Sequence, residues 1–164
     1  MMALPDILDY FPKDHSQRNF IIQVFQDTAE SIQVVQDKSG VWFQVLDQAD
    51  RTGNYLEASA SCMFVYSLAK GVRLGYLPPS LLESANRGYQ SILNQFVEID
   101  GHGDVNLHNI CSVGGLGGIP YRDGSFHYYI SEPIVSNDHK GFGPFIMASV
   151  EIECNYPGPQ RTHF

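Results

Sequence analysis

Four helical segments alternate in kind along this chain, and that alternation limits what it can fold into. From Ser16 to Gln36, residues Ile21, Val24, Phe25, Thr28, Ile32 and Val35 keep the 3.6-residue period, with Gln, Asp and Glu opposite. This is a one-sided helix, ended by the turn Lys38-Ser-Gly40. From about Leu56 to Lys70, the run Cys62-Met-Phe-Val-Tyr-Ser-Leu-Ala69 is apolar nearly all round, and Gly71 and Gly75 close it. Pro78-Pro-Ser80 opens a third helix, to about Val97, whose Leu82, Ala85, Tyr89, Ile92, Leu93 and Phe96 again make one stripe. A fourth, about Phe142 to Glu153, is apolar on most faces. One-sided helices suit an outer layer and all-round apolar helices an inner one. Repeated hairpins of that kind build α/α toroids, with a plain helical bundle as the other arrangement.

The connecting segments are less regular. Val41 to Leu46 reads as short and extended or irregular, and Ala49 to Gly53 as a polar loop. Asp100 to Tyr129 is rich in glycine without a helical period. It reads as irregular loops with a β-hairpin between Val105–Cys111 and Phe126–Ile130. So long an insert before the last helix favours the toroid, because it has the character of a site-forming loop. Met1 to Phe11 reads as the last turns of a helix with no capping residue, which suggests the back part of something larger. The tail after Asn155, with two prolines and a glycine, reads as a loop. The expectation is one all-α domain over residues 1–164.

With 164 residues, 43% of them hydrophobic, the chain can bury a core and is not disordered. Its formal charge of -8 argues against a nucleic-acid partner, which wants a basic face. No apolar run reaches membrane-spanning length, and no basic segment leads an apolar one as in a signal peptide. Cys62, Cys111 and Cys154 lack CxxC spacing and read as buried free thiols, two of them in apolar helical runs.

Two polar segments each feed an all-round apolar helix. One is Ser136-Asn-Asp-His-Lys-Gly-Phe-Gly-Pro-Phe-Ile-Met-Ala148, where Pro144 suits a first helical turn. Free backbone N–H groups beside Asn137, His139 and Lys140 would make a pocket for an anion or a sugar hydroxyl. The other is Trp42-Phe-Gln-Val-Leu-Asp47, followed by Asn54-Tyr-Leu-Glu-Ala-Ser-Ala-Ser61. Together they suggest one face that binds something polar, with Trp42, Asn54, Glu57, Asn137, Asp138, His139 and Lys140 as substrate-binding candidates. Each has an ordinary alternative. Asn and Asp cap helices, a Glu in a first turn favours the dipole, and Trp42 and Tyr55 pack loops as readily as they stack on sugars. His102, Asp104 and His108 lack a metal-ligand spacing, and Gly114-Gly-Leu-Gly-Gly118 lacks the Lys-Ser/Thr of a phosphate loop. No GxSxG elbow is present. The expectation is no metal and no cofactor.

The runs Gly40-Val-Trp-Phe-Gln-Val-Leu-Asp47, Gly53-Asn-Tyr-Leu-Glu-Ala-Ser-Ala-Ser-Cys-Met-Phe-Val-Tyr66 and Ala69-Lys-Gly71 resemble the unsaturated glycuronyl hydrolases, glycoside hydrolase families 88 and 105. So do Tyr128-Tyr-Ile-Ser-Glu-Pro-Ile-Val135, Asn137-Asp-His-Lys-Gly-Phe-Gly-Pro-Phe-Ile-Met-Ala148 and Glu151, the rhamnogalacturonyl type being the closer match. The resemblance implies an (α/α)6 barrel of about twice this size, of which this chain resembles the C-terminal half. It implies removal of an unsaturated uronic acid from oligosaccharides by hydration of the C4=C5 bond, with a catalytic Asp and no metal. It also implies that the Asp, and an Arg–Trp substrate clamp, lie upstream of the match, so no residue here inherits the catalytic role. A cytoplasmic location follows by analogy. Two other functions suit the same residues. One is a non-catalytic helical or sugar-binding module that pairs through exposed inner-helix flanks, as a homodimer. The other is an enzyme with a relocated acid among Asp47, Asp50, Glu57 and Asp138.

Overall fold

A computed structural model describes residues 1–155. Its helices are α1 (Ala3–Tyr10), α2 (Arg18–Val34), α3 (Ala58–Arg73), α4 (Leu81–Gln95), α5 (Phe126–Ser131) and α6 (His139–Asn155). Four short strands, β1 (Val97–Ile99), β2 (Val105–Leu107), β3 (Ile110–Cys111) and β4 (Ile134–Val135), lie between α4 and α6.

The expected alternation of helix types is present, and packing explains it. Ten residues of α3 are buried, from Ala58 to Gly71, and α3 packs chiefly on α6 and α4. By contrast α2 buries Phe25, Ala29 and Ile32, and α4 buries Leu81, Ser84, Ala85, Gly88 and Ile92. Each of those is one stripe of an outer helix. The inner helix α6 turns Phe145, Ala148 and Ile152 inward, but Ile146, Met147 and Val150 are exposed on its flank.

Trp42 anchors the core. It has no exposed surface, its ring meets Phe64 edge-on at 5.3 Å, and its Nε1–H donates to the Ile32 carbonyl at 2.8 Å. A ring sealed in this way has no face for a sugar, so Trp42 is a packing residue and not a substrate contact. Gly88 gives α4 its close approach, since a Cβ there would come within 2.8 Å of Val65 and 3.1 Å of the Trp42 ring.

Several local expectations are corrected. No hairpin joins Val105–Cys111 to Phe126–Ile130. Instead β1 pairs with β2 and β3 with β4, both antiparallel. Asn109, at φ 60°, breaks the expected strand in the middle. The aromatic run from Phe126 is helical because Ser125 caps it, its Oγ accepting from the Tyr128 N–H at 3.1 Å. The third helix stops at Gln95 and β-branched Val97 begins a strand. Gly71 lies inside α3, packed on Leu77 and Phe25, and the chain turns away only at Gly75, φ 75°. The last helix starts at His139, three residues early, so Pro144 is inside it rather than in its first turn. Cys62 is buried as expected, but Cys111 is partly exposed and Cys154 exposed. The tail expected after Asn155 lies outside the described residues.

Candidate functional site

The segment before α3 is bound to itself and to the core. Gln44 N–H donates to the Tyr55 carbonyl at 2.8 Å, and Glu57 N–H to that of Trp42 at 2.9 Å. Asn54 clips the intervening loop shut. Its Nδ2 donates to the carbonyls of Val45 and Gln48, both at 2.9 Å, and its Oδ1 accepts from the N–H groups of Val45 and Tyr55.

Glu57 is the N-cap of α3 and is almost wholly buried. Its Oε1 accepts from Ser59 N–H at 3.1 Å, Ser59 Oγ at 2.8 Å and Cys111 N–H at 2.9 Å. Its Oε2 accepts from Ala60 N–H at 2.6 Å. One carboxylate thus satisfies two orphan amides of α3 and ties β3 to that helix. Cys62, a turn further on, is a sealed thiol whose ionisation burial and the Glu57 charge push upward. Tyr55, half-buried, is pushed the same way by burial and by Cys111.

At the start of α6 the polar run divides its work. Asn137, at φ 59°, accepts from Leu107 N–H at 2.8 Å through Oδ1 and donates to Asn106 Oδ1 at 2.8 Å through Nδ2. It fixes the strand-to-helix turn to β2. Asp138 Oδ1 accepts from the Lys140 N–H at 2.9 Å, and both its oxygens meet Lys140 Nζ, at 2.7 and 2.8 Å. Those bonds to Lys140 hold the Asp138 carboxyl below the ordinary carboxylate range. The helix start is therefore not an open cradle of N–H groups, because Asp138 already caps it. His139, the first residue of α6, is exposed.

Between the N-terminal ends of α3 and α6 lies a hollow of about 470 Å³, within the usual range for small-molecule sites. Gln44, Glu57, Ser59, Cys111 and Lys140 supply its polar groups, and Met63, Val113 and Pro144 most of its apolar wall. Of the residues singled out in the sequence, Glu57 and Lys140 line it, with Asp138 steering Lys140. Asn54, Asn137 and His139 stand outside that lining. Gln44 and Cys111 were not foreseen. Gln44 Nε2 approaches Cys111 Sγ at 3.2 Å, β3 being held against the start of α3 by the Ala58 N–H to Asn109 carbonyl and Cys111 N–H to Glu57 bonds, which the sequence pattern did not disclose. Gln44's one local signal is polarity within the apolar run Val41–Leu46.

The residues suspected of mimicking a metal site do not converge. His108 instead bridges Ser136 Oγ at 2.7 Å and Glu98 at 3.0 Å. The glycine run serves Arg122. A Cβ at Gly115 or Gly118 would come within 2.7 or 3.1 Å of its guanidinium, whose Nε donates to the Gly117 carbonyl at 2.9 Å. None of the described helices is long and apolar enough to cross a membrane.

Inner and outer helices in hairpins, with polar loops gathered over the N-terminal ends of the inner pair, define part of an (α/α)6 toroid with a hollow at its loop end. The description of glycosyl hydrolase family 88 matches residues 1–156, and the chain belongs to that family. The 24.9 kDa protein in the picA locus of Rhizobium radiobacter is 39% identical over 156 residues, covering 92% of this chain and 66% of its own length. The unsaturated 3S-rhamnoglycuronyl hydrolase of Formosa agariphila is 34% identical over 79 residues, 48% of this chain and 21% of that protein. A solved family 105 glycoside hydrolase of C. acetobutylicum superposes with a TM-score of 0.90 at 54% identity, covering 93% of this chain and 43% of that one. A possible family 105 member from Salmonella enterica gives a TM-score of 0.78 at 25% identity, with 94% and 38% covered. The chain thus spans about two thirds of that Rhizobium relative and under half of either solved structure.

Proposed function

We propose that this chain forms one wall of the pocket of a glycoside hydrolase that removes an unsaturated uronic acid from oligosaccharides. The observation that carries the reading is the hollow itself, where Lys140, Gln44 and Ser59 stand around a space of sugar size in a chain of family 88. Lys140 is half-exposed and meets a uronate carboxylate as a point charge. Gln44 and Ser59 exchange hydrogen bonds with ring hydroxyls. The activity in the name of the Formosa relative supports an unsaturated uronyl substrate. In the reaction the resemblance implies, a carboxylic acid protonates C4 of the C4=C5 bond and water adds at C5 with loss of its proton. The resulting hemiketal opens and releases the next sugar.

The acid is proposed to come from outside residues 1–164. Both oxygens of Glu57 already accept hydrogen bonds, four in all, which is a capping role. Asp138 is held ionised by Lys140. The test is to mix the chain with an unsaturated uronyl disaccharide, recording binding heat and the ultraviolet absorbance of the double bond. Binding without steady loss of absorbance is the expected result. Absence of binding overturns the pocket, and steady loss on this chain alone overturns the half-site. If loss occurs, alanine at Asp47, Asp50, Glu57 and Asp138 in turn identifies a relocated acid.

A second reading, a non-catalytic module that self-associates, draws on the exposed Ile146, Met147 and Val150 of α6. Sedimentation decides it. A monomer at all concentrations removes it, and a dimer dispersed by Val150→Lys supports it.

A further inference from the structure

The hollow between α3 and α6 is lined by polar groups whose protons already have acceptors, and that decides what they offer a ligand. Gln44 Nε2 carries two protons and has two acceptors in reach, Cys111 Sγ at 3.2 Å and the Tyr129 carbonyl at 3.4 Å. The carbonyl settles which way round the amide lies. Turning it over would set Oε1 against the Tyr129 oxygen with no proton between them. Both anchors are themselves tied down. Cys111 N–H donates to Glu57 at 2.9 Å, and Tyr129 N–H donates to the Ser125 carbonyl at 3.1 Å within α5. What Gln44 offers the hollow is therefore Oε1, an acceptor.

Ser59 is committed in the same way. Its hydroxyl proton goes to Glu57 Oε1 at 2.8 Å, which leaves the Ser59 oxygen as an acceptor. On the α6 side, Lys140 brings a cation whose side chain is 53% exposed. The polar lining is thus sorted by direction, with acceptors on the α3 side and a cation on the α6 side.

We infer that Gln44 and Ser59 are specificity-determining residues that accept from the sugar, which must carry a free hydroxyl, and not merely an oxygen, where it meets them. Cys111 and the Tyr129 carbonyl act through Gln44 and position it. The inference rests on the reading of this hollow as the uronate site and gives that reading a direction. The carboxylate accepts from Lys140, and a hydroxyl donates to Gln44 Oε1 or Ser59 Oγ. A group without a proton at that place sets acceptor against acceptor, and a site that hydrogen-bonds a hydroxyl rejects the analogue lacking it.

Titration calorimetry tests this with an unsaturated uronyl disaccharide and analogues in which one uronyl hydroxyl at a time is replaced by fluorine or by an amino group. Fluorine is no larger than a hydroxyl and cannot donate, whereas an amino group donates. At least one fluoro analogue should bind about tenfold more weakly than the parent, the cost of one acceptor left unpaired. The amino analogue at the same position should bind at least as well as the parent. Gln44→Met or Ser59→Ala, whichever faces that hydroxyl, should weaken the parent more than the fluoro analogue and shrink the preference to about twofold. A parent that binds while no fluoro analogue is weaker overturns the inference and leaves the uronate reading standing. So does an amino analogue that loses as much as the fluoro one, or a preference unchanged in both variants. A further readout needs no sugar. Both Gln44 side-chain protons should exchange with solvent about tenfold more slowly than those of the exposed Gln17. Exchange as fast as at Gln17 overturns the inference whatever the sugar does. A parent that fails to bind while both protons are protected takes down the uronate reading and the inference together.

Discussion

At the C-terminal end of α3, Lys70 reaches Asp6 at 2.7 Å, Asp9 at 2.8 Å and Tyr66 at 3.2 Å, and Tyr66 donates to Asp6 at 2.5 Å. Beside them Arg73 holds Glu151 of α6 through two bonds, at 2.7 and 2.8 Å. At the other end of the same helix, Glu57 closes the backbone while Gln44, Ser59 and Lys140 surround an empty space. Both ends pair a lysine with acid, and the difference is exposure: the Lys70 side chain is about 10% exposed, whereas Lys140, paired with Asp138, is 53% exposed and borders the hollow. At the closed end Lys70 is enclosed by Asp6, Asp9 and Tyr66, which leaves it little surface for a ligand. At the open end Glu57 takes two amides of α3, the Cys111 N–H and the Ser59 hydroxyl, while Lys140 keeps about half of its side chain exposed beside the hollow. The closed end fixes three helices, α1, α3 and α6, and so fixes the geometry of the open end.

The comparison is broken most severely at Glu57. Glu57→Ala strips four hydrogen bonds from a buried cap and should cost about 3 kcal/mol, read from urea denaturation. A cost under about 1 kcal/mol would mean that the cap is not what closes the backbone there.

Lys70→Met tests the closed end. It leaves Asp6 and Asp9 facing each other without a cation, and should cost about 2 kcal/mol after allowing for the partial exposure of both carboxylates. The same cluster predicts a pH dependence. Burial opposes the Lys70 charge, but hydrogen bonds with Asp6, Asp9 and Tyr66 outweigh it and raise its pKa. Burial, then the bond to Asp6, push Tyr66 up to about 12. Both groups have folded values above their unfolded ones, so their stabilisation is full below about pH 10 and declines as pH rises toward 12. Denaturation midpoints should be flat up to that point and then fall, and Lys70→Met should flatten the decline.

Gly141→Ala sharpens the boundary between the two ends. A Cβ there would sit 2.7 Å from Ile110 Cδ1, forcing α6 off β3 at a cost of about 1–2 kcal/mol. If the hollow depends on that approach, sugar affinity falls along with stability. Smallest in stability is Lys140→Met, an exposed pair whose loss should change folding by less than about 0.5 kcal/mol.

Much of this was legible in the sequence because helix burial leaves a periodic trace. The all-round apolar run from Cys62 to Ala69 announced an inner helix, and the stripe through Ala85 and Ile92 an outer one. Glu57 and Lys140 stood out as polar residues at the start of an apolar helix, and both line the hollow, Glu57 as the cap of α3. The insert was misread because its pairings are non-local and two or three residues long, too short for a period to register. Trp42 was misread because an aromatic residue in a polar neighbourhood gives no sign of which way it faces. Cys111 and Gln44 become neighbours through non-local bonds that hold β3 to the start of α3, which no local pattern encodes.

The central claim is that the open end of α3, and not the closed one, recognises an anionic sugar. The direct measurement is a calorimetric titration of an unsaturated uronyl disaccharide into the wild type, Lys140→Met and Lys70→Met, each under conditions where it is fully folded. The account predicts a loss of about tenfold in affinity for Lys140→Met, the worth of one charged hydrogen bond, and none for Lys70→Met. Equal affinity in the wild type and Lys140→Met, or equal loss in both variants, would contradict it.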